Sequence, residues 1–310
     1  MTIMNRRRFL TQAAALGSGL YVSSLLPAIA APQRRLEVIG LQLYTVHGPM
    51  SEDFEGTLRA VADMGYREVE FSTVGGLYGR EPHAVQGQLK QLGLRAPFGR
   101  LRPQIPDNVD IASLPRDEAI KLFFQLSGTD RILDNLRAML PEAAVMGYES
   151  IVLSAVSPAD MKDRAALARL VDIFNEAGAL CASHGMTFAY HNHDFDFTPV
   201  DGMLPFDYLL TNTDPDSVQF QFDLYWVSKA GQDPLRYFRD HGKRFNSCHM
   251  KDMAVDGTFA DVGAGTLNFP VLTAAALDAG VRHFFVEHDA PQQPLASAES
   301  SYAFLASMTF

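Results

Sequence analysis

The sequence holds only two cysteines and one tryptophan in 310 residues. Cys181 falls in a predicted helix and Cys248 in a predicted strand, so we expect two buried thiols, and nothing in the sequence requires a disulfide. A typical membrane span is missing as well, because the apolar stretch at residues 10–26 carries Thr11, Gln12 and paired serines. With 47% hydrophobic residues, the composition is that of a soluble globular protein.

Positive charge is also scarce. Lysine and arginine number 26 against 36 aspartates and glutamates, a formal net charge of −10. Such an acidic body repels phosphate backbones and lacks the basic patch that nucleic-acid binding needs, so we expect no nucleic acid partner. A glycine-rich phosphate loop is missing after the first predicted strand, where Leu43–Val46 stands instead. This absence argues against a doubly wound sheet.

The N-terminal segment looks like an export signal rather than part of the fold. Residues 5–10 read Asn-Arg-Arg-Arg-Phe-Leu, similar to a twin-arginine motif, and a weakly apolar stretch follows. Pro27 precedes a small-x-small cleavage site. We therefore predict a twin-arginine signal peptide at residues 1–30, the twin-arginine export machinery as a partner and a periplasmic location, with an uncleaved anchor as the alternative. Residues 31–310 then form one domain, since no linker divides them.

Strands and helices alternate along the rest of the chain. The predicted strands lie at residues 38–44, 66–71, 94–98, 151–154, 186–190, 218–222, 244–248 and 283–286. The predicted helices lie near residues 52–64, 84–92, 117–127, 130–146, 160–184, 203–211, 233–241, 270–279 and 297–307. Gly65, Gly147 and Gly280 each end a helix just before a strand, and we expect them in the left-handed cap conformation. This α/β alternation with eight strands predicts a parallel (βα)8 TIM barrel.

Four of these strands run into a residue type that binds metal ions. The four residues are His191, Asp223, His249 and Glu287, each separated from the next by roughly one βα unit. In a parallel barrel all strand C-termini open on one face, so these side chains converge. Two imidazoles and two carboxylates at one point predict a mononuclear site for a divalent metal ion. His193 is the rival of His191, because it lies two residues on and points to the same side of an extended strand.

Seven short segments carry a family resemblance. They are Gly40–Val46, Glu68–Glu70, Tyr190–Phe197, Phe222–Trp226, His249–Asp252, Gly263–Pro270 and Val286–Asp289. On these segments the chain resembles the sugar isomerase/epimerase-like TIM barrels related to xylose isomerase, over nearly all of residues 36–308. The resemblance implies a xylose isomerase-like barrel with one divalent ion, manganese ahead of zinc, magnesium or cobalt. It also implies a small-molecule sugar substrate and leaves a homo-oligomer open.

The resemblance carries over to the metal ligands with one departure. In that family, Glu, Asp, His and Glu at the ends of strands five to eight hold the ion. The last three correspond to Asp223, His249 and Glu287, but His191 stands at the first position. Imidazole can replace a carboxylate as a ligand, so the prediction of a metal site stands. Family epimerases use both ligand glutamates as opposed acid and base, and only Glu287 remains here.

Other side chains are candidates for contact with the substrate. Glu70, at the end of the second strand, is predicted as a second acid or base, with a salt bridge to an arginine as its alternative. His193 is predicted to touch the substrate or to serve in acid–base chemistry, and Lys251 to hold an oxyanion. Tyr44 and Trp226 are predicted to wall the substrate site, with core packing as the alternative.

The irregular residues 99–116 predict a long loop on the active face. The segment holds three prolines, and its arginines, Arg100 and Arg102, either hold an anion or lie in solvent.

The expected chemistry is proton abstraction next to a carbonyl group. A metal ion chelated by adjacent carbonyl and hydroxyl oxygens makes the neighbouring C–H acidic and stabilises the enediolate, and Glu287 is predicted as the base. We expect an isomerase or epimerase acting on a ketose or related carbonyl sugar. Loss of a leaving group instead gives the alternative, a lyase or dehydratase on 3-keto-glycosides or inosose-like substrates. A non-catalytic periplasmic sugar-binding protein is the second alternative.

Overall fold

The computed structural model describes residues 33–105 and 125–310, together with residues 109, 118, 121 and 122. The predicted signal peptide at residues 1–30, most of the loop predicted at 99–116 and five residues of the helix predicted at 117–127 lie outside the described residues. These expectations stay predictions. Residues Arg34–Phe310 form one compact unit.

Eight parallel strands close into a barrel. They are β1 Gly40–Gln42, β2 Glu68–Phe71, β3 Arg95–Arg100, β4 Ser150–Leu153, β5 Thr187–His191, β6 Val218–Asp223, β7 Phe245–Met250 and β8 His283–Val286. Each pairs in parallel with its neighbour in the sequence, and β8 pairs with β1, through Gly40 beside Phe285. The predicted parallel (βα)8 barrel is confirmed.

The helices lie between the strands, as the alternation predicted. The described α-helices are α1 His47–Glu52, α2 Phe54–Met64, α3 Pro82–Gln91, α4 Ile132–Met146, α5 Arg164–Ala182, α6 Pro205–Asn212, α7 Leu224–Lys229, α8 Pro234–His241, α9 Phe269–Ala279 and α10 Pro294–Ser307. The short α1 and α7 were not predicted. Gly65, Gly147 and Gly280 follow their helices with φ of 113°, 74° and 99°, the left-handed conformation that was expected. None of the described helices is long and apolar enough to cross a membrane.

Strand alternation separates the core from the barrel interior. On β6, Phe220 and Phe222 point outward, and both pack against Phe206 of α6. Gln221 and Asp223 therefore point inward, because neighbouring residues of a strand face opposite sides. All four are buried, since helices cover the outside of the barrel. The same alternation places the polar strand-end residues inside the barrel mouth.

Two local features differ from the sequence-based expectation or add to it. Strand β3 runs to Arg100, beyond the predicted end at residue 98, so Arg100 is a buried barrel residue rather than a loop arginine. After β7, Asp252–Met253 pairs with Phe259–Ala260 in a small antiparallel hairpin. The buried Asp252 accepts hydrogen bonds from the backbone N–H groups of Met253, Gly263, Gly265 and Leu267, and so caps the following loop.

Cys181 and Cys248 are both free and buried, as predicted.

Candidate active site

The four predicted metal-type residues meet at the C-terminal mouth of the barrel. His191 and Asp223 end β5 and β6, His249 lies in β7, and Glu287 follows β8 directly. The β6–β7 register places Asp223 beside His249. One potential ligand atom of each residue lies within 4.8 Å of those of the other three, and all four side chains are buried. The predicted convergence of these four residues is therefore present in the structure.

Asp223 shows that the group fits a cation. Its Oδ1 accepts a hydrogen bond from the backbone N–H of Trp226 at 3.0 Å, but its Oδ2 is buried without a hydrogen-bond donor. Nε2 of His191 and Nδ1 of His249 each lie 3.9 Å from this Oδ2. A buried carboxylate oxygen that accepts no hydrogen bond is unfavourable, and a bound cation would satisfy it. Two imidazoles and two carboxylates are a suitable donor set for a divalent transition-metal ion.

Lys251 lies against the carboxylates of this group. Its Nζ is 2.6 Å from Glu287, 3.0 Å from Asp289 and 3.3 Å from Asp223, and its side chain is almost fully buried. Burial by itself would lower the pKa of Lys251, but the three carboxylates outweigh it and raise that pKa. Lys251 is therefore an ammonium ion, in the inward position that the sequence predicted.

Glu287 is ionised in the same surroundings. Burial would raise its pKa, but Lys251 and His249 hold it well below its usual range. His249 lies between two carboxylates, with Nδ1 2.8 Å from Glu287 and Nε2 2.8 Å from Glu70. Burial opposes the charged ring, yet these two carboxylates raise the pKa of His249 to about 9. Without an ion, the ring therefore carries both hydrogens at neutral pH.

A polar pocket of about 330 Å³ opens above these residues. It is lined by Gln42, Tyr44, Ser72, Thr73, Val74, Arg100, Ser154, His191, His193, Lys251, Glu287 and Asp289. Tyr44, 37% exposed, is on the pocket wall as predicted. Trp226 is not among these lining residues. Its ring packs against that of His193, with 5.2 Å between the ring centroids.

His191 and His193 both line the pocket, but only His191 belongs to the group of four potential metal ligands. Burial, with a contribution from Lys251, lowers the pKa of His193 to about 3, so the ring is neutral. Its Nδ1 is buried without a partner. The backbone N–H of His193 donates to Asp196, which also accepts a hydrogen bond from Tyr190. Asp196 is fully buried.

Glu70 does not reach the pocket wall, contrary to its predicted role as a second acid or base. It is 0% exposed, and its two oxygens accept hydrogen bonds from Gln42, Arg100, Gln221 and His249. Nε of Arg100 lies 2.8 Å from Oε1. The alternative, an arginine salt bridge, is the one that the structure contains, although the pair lies inside the barrel and not on its rim.

Three site residues were missed by sequence reasoning. Gln221 precedes Asp223 by two residues on the same strand, and this spacing could have placed it on the inner side. Arg100 was assigned to a loop because β3 was ended too early. Asp289 follows Glu287 by two residues, a signal that was present but was given no role.

Comparison with known proteins agrees with the barrel fold. A family model for the xylose isomerase-like TIM barrel matches residues 58–308. The chain belongs to this family. Inosose dehydratase of Lacticaseibacillus casei is 27% identical over 156 residues, which are 44% of this chain and 51% of that protein. The chain thus spans about half the length of the curated relatives it matches.

Two solved structures of xylose isomerase-like barrels illustrate the shared fold. A sugar phosphate isomerase/epimerase from Parabacteroides distasonis has a TM-score of 0.72 and 24% identity, covering 87% of this chain and 98% of its own. The 3-keto-D-glucoside 4-epimerase from E. coli has a TM-score of 0.59 and 17% identity, covering 86% and 98%. At these identities the likeness concerns the fold alone.

Proposed function

We propose that this protein is a divalent-metal-dependent enzyme that removes a proton next to the carbonyl group of an uncharged sugar and then eliminates a leaving group. His191, Asp223, His249 and Glu287 would hold the ion. Manganese is the first choice, with zinc, magnesium or cobalt as alternatives. Once bound, the ion would act as a Lewis acid on neighbouring carbonyl and hydroxyl oxygens, which makes the adjacent C–H more acidic.

The pairing of Glu287 with Lys251 carries the proposal. The carboxylate and the ammonium group lie 2.6 Å apart on the pocket wall, so one base and one acid stand side by side. Glu287 accepts the proton from the carbon next to the carbonyl group. The electron pair left there forms a double bond as the leaving oxygen departs with a proton from Lys251. Glu287 then returns its proton to Lys251, and the products are an unsaturated sugar and water or an alcohol.

Asp289, the other carboxylate among the described lining residues, shares Lys251 with Glu287 and so lies on the same side of the pocket, which favours elimination over epimerisation by two opposed bases. Glu70 is 0% exposed and is not among the described lining residues, so it does not reach a substrate carbon. The inosose dehydratase similarity agrees with this outcome. Isomerisation is the second candidate, because a single base such as Glu287 can return the proton to the adjacent carbon.

The charges around the pocket favour an uncharged substrate. Among the described lining residues the cations are Arg100 and Lys251, and both are already paired with carboxylates. The side chain of Asp289 is 25% exposed on the pocket wall, where it would repel a phosphate group and accept hydrogen bonds from sugar hydroxyls. A 3-keto-glycoside or an inosose has the required carbonyl group, an acidic neighbouring C–H and a leaving oxygen.

The test measures deuterium incorporation into the sugar and release of the leaving group in one experiment. Purified protein loaded with Mn²⁺ is incubated with a 3-keto-glucoside in D₂O, and the sugar is analysed by NMR after the metal is removed. We expect deuterium next to the carbonyl group and release of the aglycone. Glu287→Gln should lower both rates by about 10²-fold or more, whereas Glu176→Gln, an exposed matched control, should not.

A second variant tests the role of Lys251 as proton donor separately from the role of Glu287 as base. Lys251→Met, assayed with the ion bound, should keep deuterium exchange and lose aglycone release, since the proton donor is removed while Glu287 remains. Metal content is measured in every variant, because Glu287 is also a proposed ligand. Rearranged sugar without loss of the leaving group would favour isomerisation. Saturable sugar binding with neither exchange nor product would reject the enzyme and favour a sugar-binding protein.

We also propose that the protein is exported to the periplasm by the twin-arginine machinery, on the sequence pattern of residues 1–30. Replacing Arg6, Arg7 and Arg8 by lysine should leave the full-length chain in the cytoplasm of a bacterial host. Unchanged fractionation would contradict this proposal.

A further inference from the structure

A buried hydrogen-bond network centred on Glu70 lies directly beneath the proposed metal ligands. Oε1 of Glu70 accepts from Nε2 of Gln221 at 3.2 Å and forms an ion pair with Nε of Arg100 at 2.8 Å. Oε2 faces Nε2 of Gln42 at 2.9 Å and Nε2 of His249 at 2.8 Å. All of these side chains are buried. Because an ionised carboxylate only accepts hydrogen bonds, each of these neighbours must present a hydrogen to Glu70.

The first consequence concerns His249. Glu70 requires a hydrogen on Nε2, which leaves Nδ1 as the nitrogen that faces Glu287 and Asp223. Nη2 of Arg100 also lies 3.1 Å from Nε2. Arginine only donates, and acceptors for its two Nη2 hydrogens are present elsewhere, on Gln221 at 2.7 Å and on Glu70 at 3.4 Å. The contact with Arg100 therefore does not remove the hydrogen from Nε2.

The second consequence concerns His191. Since Gln221 uses its amide nitrogen to donate to Glu70, its Oε1 points the other way. This oxygen accepts from Arg100 and lies 3.1 Å from Nδ1 of His191. An amide oxygen only accepts, so Nδ1 of His191 carries the hydrogen and Nε2 is bare. That bare nitrogen is the one that lies 3.9 Å from Oδ2 of Asp223.

We propose that Glu70, Gln221 and Arg100 are positioning residues that hold the hydrogens of both imidazoles away from the metal site. His191 would then offer Nε2 and His249 would offer Nδ1, opposite nitrogens directed to one point. Metal-binding histidines commonly donate their other N–H to a carboxylate or a carbonyl oxygen, which fixes the ring and its tautomer. This inference rests on the proposed metal site and gives Glu70 a role other than that of an acid or base.

The decisive variant is Glu70→Gln, which keeps the size of the side chain. Donors face both oxygens of Glu70, Gln221 at Oε1 and Gln42 at Oε2, so the NH₂ group of the glutamine meets a donor in either orientation. The variant also removes the negative charge that holds a hydrogen on Nε2 of His249, so the ring is no longer fixed with Nδ1 free for an ion. We expect the Zn²⁺ affinity, measured by competition with a chelator, to fall about 10–100-fold.

Glu68→Gln is the matched control. Glu68 lies two residues earlier on β2 and is also buried. Like Glu70, it forms a hydrogen bond with a histidine, because its Oε2 lies 2.9 Å from Nδ1 of His283. His283 begins β8 at the opposite end of the barrel. We expect Glu68→Gln to bind Zn²⁺ as the wild type does. If both variants bind equally well, the network does not position the ligands.

NMR of the protein labelled with ¹⁵N at histidine shows directly which ring nitrogen of each histidine carries a hydrogen. With Zn²⁺ bound to the wild type, we expect the hydrogen on Nε2 of His249 and on Nδ1 of His191. The reverse arrangement on either ring would overturn the inference. A wild type that binds no ion rejects the proposed metal site instead. The spectrum of the ion-free protein then still tests the network. We expect the hydrogen of His191 on Nδ1, and a hydrogen on Nε2 with Nδ1 bare would contradict the inference.

Discussion

The ammonium group of Lys251 lies 3.3 Å from Oδ2 of Asp223, the carboxylate oxygen that lacks a hydrogen-bond donor. The same group is shared with Glu287 and Asp289. Lys251 thus supplies part of the positive charge that the buried carboxylates need when no ion is bound. An ion bound at Asp223 and Glu287 would lie close to this ammonium group, and the two cations would repel each other.

The first prediction is that Lys251→Met makes folding depend on the metal ion. Without Lys251, the buried carboxylates of Asp223 and Glu287 and the partly exposed one of Asp289 lose their cation, and the ion-free protein should lose about 3–5 kcal/mol of stability. Added Mn²⁺ or Zn²⁺ should restore it, with a larger thermal shift than in the wild type. The thermal midpoint is measured with and without the ion.

Lys243→Met is the control for the loss of a lysine, since Lys243 is exposed and lies away from the metal group. A thermal shift in Lys251→Met no larger than in this control would contradict the prediction.

The second prediction concerns metal content. Purified wild-type protein should contain about one divalent ion per chain, and His191→Ala and His249→Ala should each lose it, because each removes one of four ligands. Elemental analysis measures the content. His184→Ala, at an exposed position on the helix side, should keep the ion. Retention of the ion in His191→Ala, with loss in His193→Ala, would show that the wrong histidine of the pair was chosen.

The third prediction concerns the charge of the substrate. A phosphorylated carbonyl sugar should have a kcat/KM about tenfold or more below that of its uncharged counterpart, because Asp289 places a negative charge on the pocket wall. Asp289→Asn should bring the two kcat/KM values closer together. Asp278→Asn, which changes an exposed aspartate paired with Arg34, should leave the ratio as it is. Preference of the wild type for the phosphate ester would refute the proposed substrate class.

The fourth prediction concerns pH and Asp196. Burial raises the pKa of Asp196 to about 7, although the backbone N–H of His193 and the hydroxyl of Tyr190 act against this rise. Between pH 4 and pH 7 the folded protein therefore holds a proton that the unfolded chain has released. Its stability should fall as pH rises through this window, on the order of 4 kcal/mol from this group. Chemical denaturation at several pH values measures the slope.

Asp196→Asn should flatten this slope, because its oxygen still accepts from His193 while its NH₂ group donates to Tyr190. Asp194→Asn, a partly exposed neighbour in the same turn, should keep the wild-type slope. Equal slopes in all three proteins would mean that Asp196 is ionised throughout.

Much of the barrel was predictable because its signals are local. The end of a strand such as Val218–Asp223 follows from hydrophobic runs, and the end of a helix at Gly65 follows from the left-handed backbone that glycine adopts readily. Parallel strands have their C-termini on one face, so the meeting of Asp223 with His249 also followed from the order of the elements. The end of β3 was less certain, and Arg100 was misplaced with it.

The sequence by itself determined the repeating βα units, the closed parallel barrel and the residue types at the strand ends, because each depends on periodicity within a short segment. The tertiary structure decided which of these polar residues touch. Glu70 and His249 are 179 residues apart in the chain, and their contact exists only because the barrel closes and the registers of its strands align. Whether Glu70 faces the pocket or supports a ligand from below depends on these distances of a few ångströms, which no local pattern encodes.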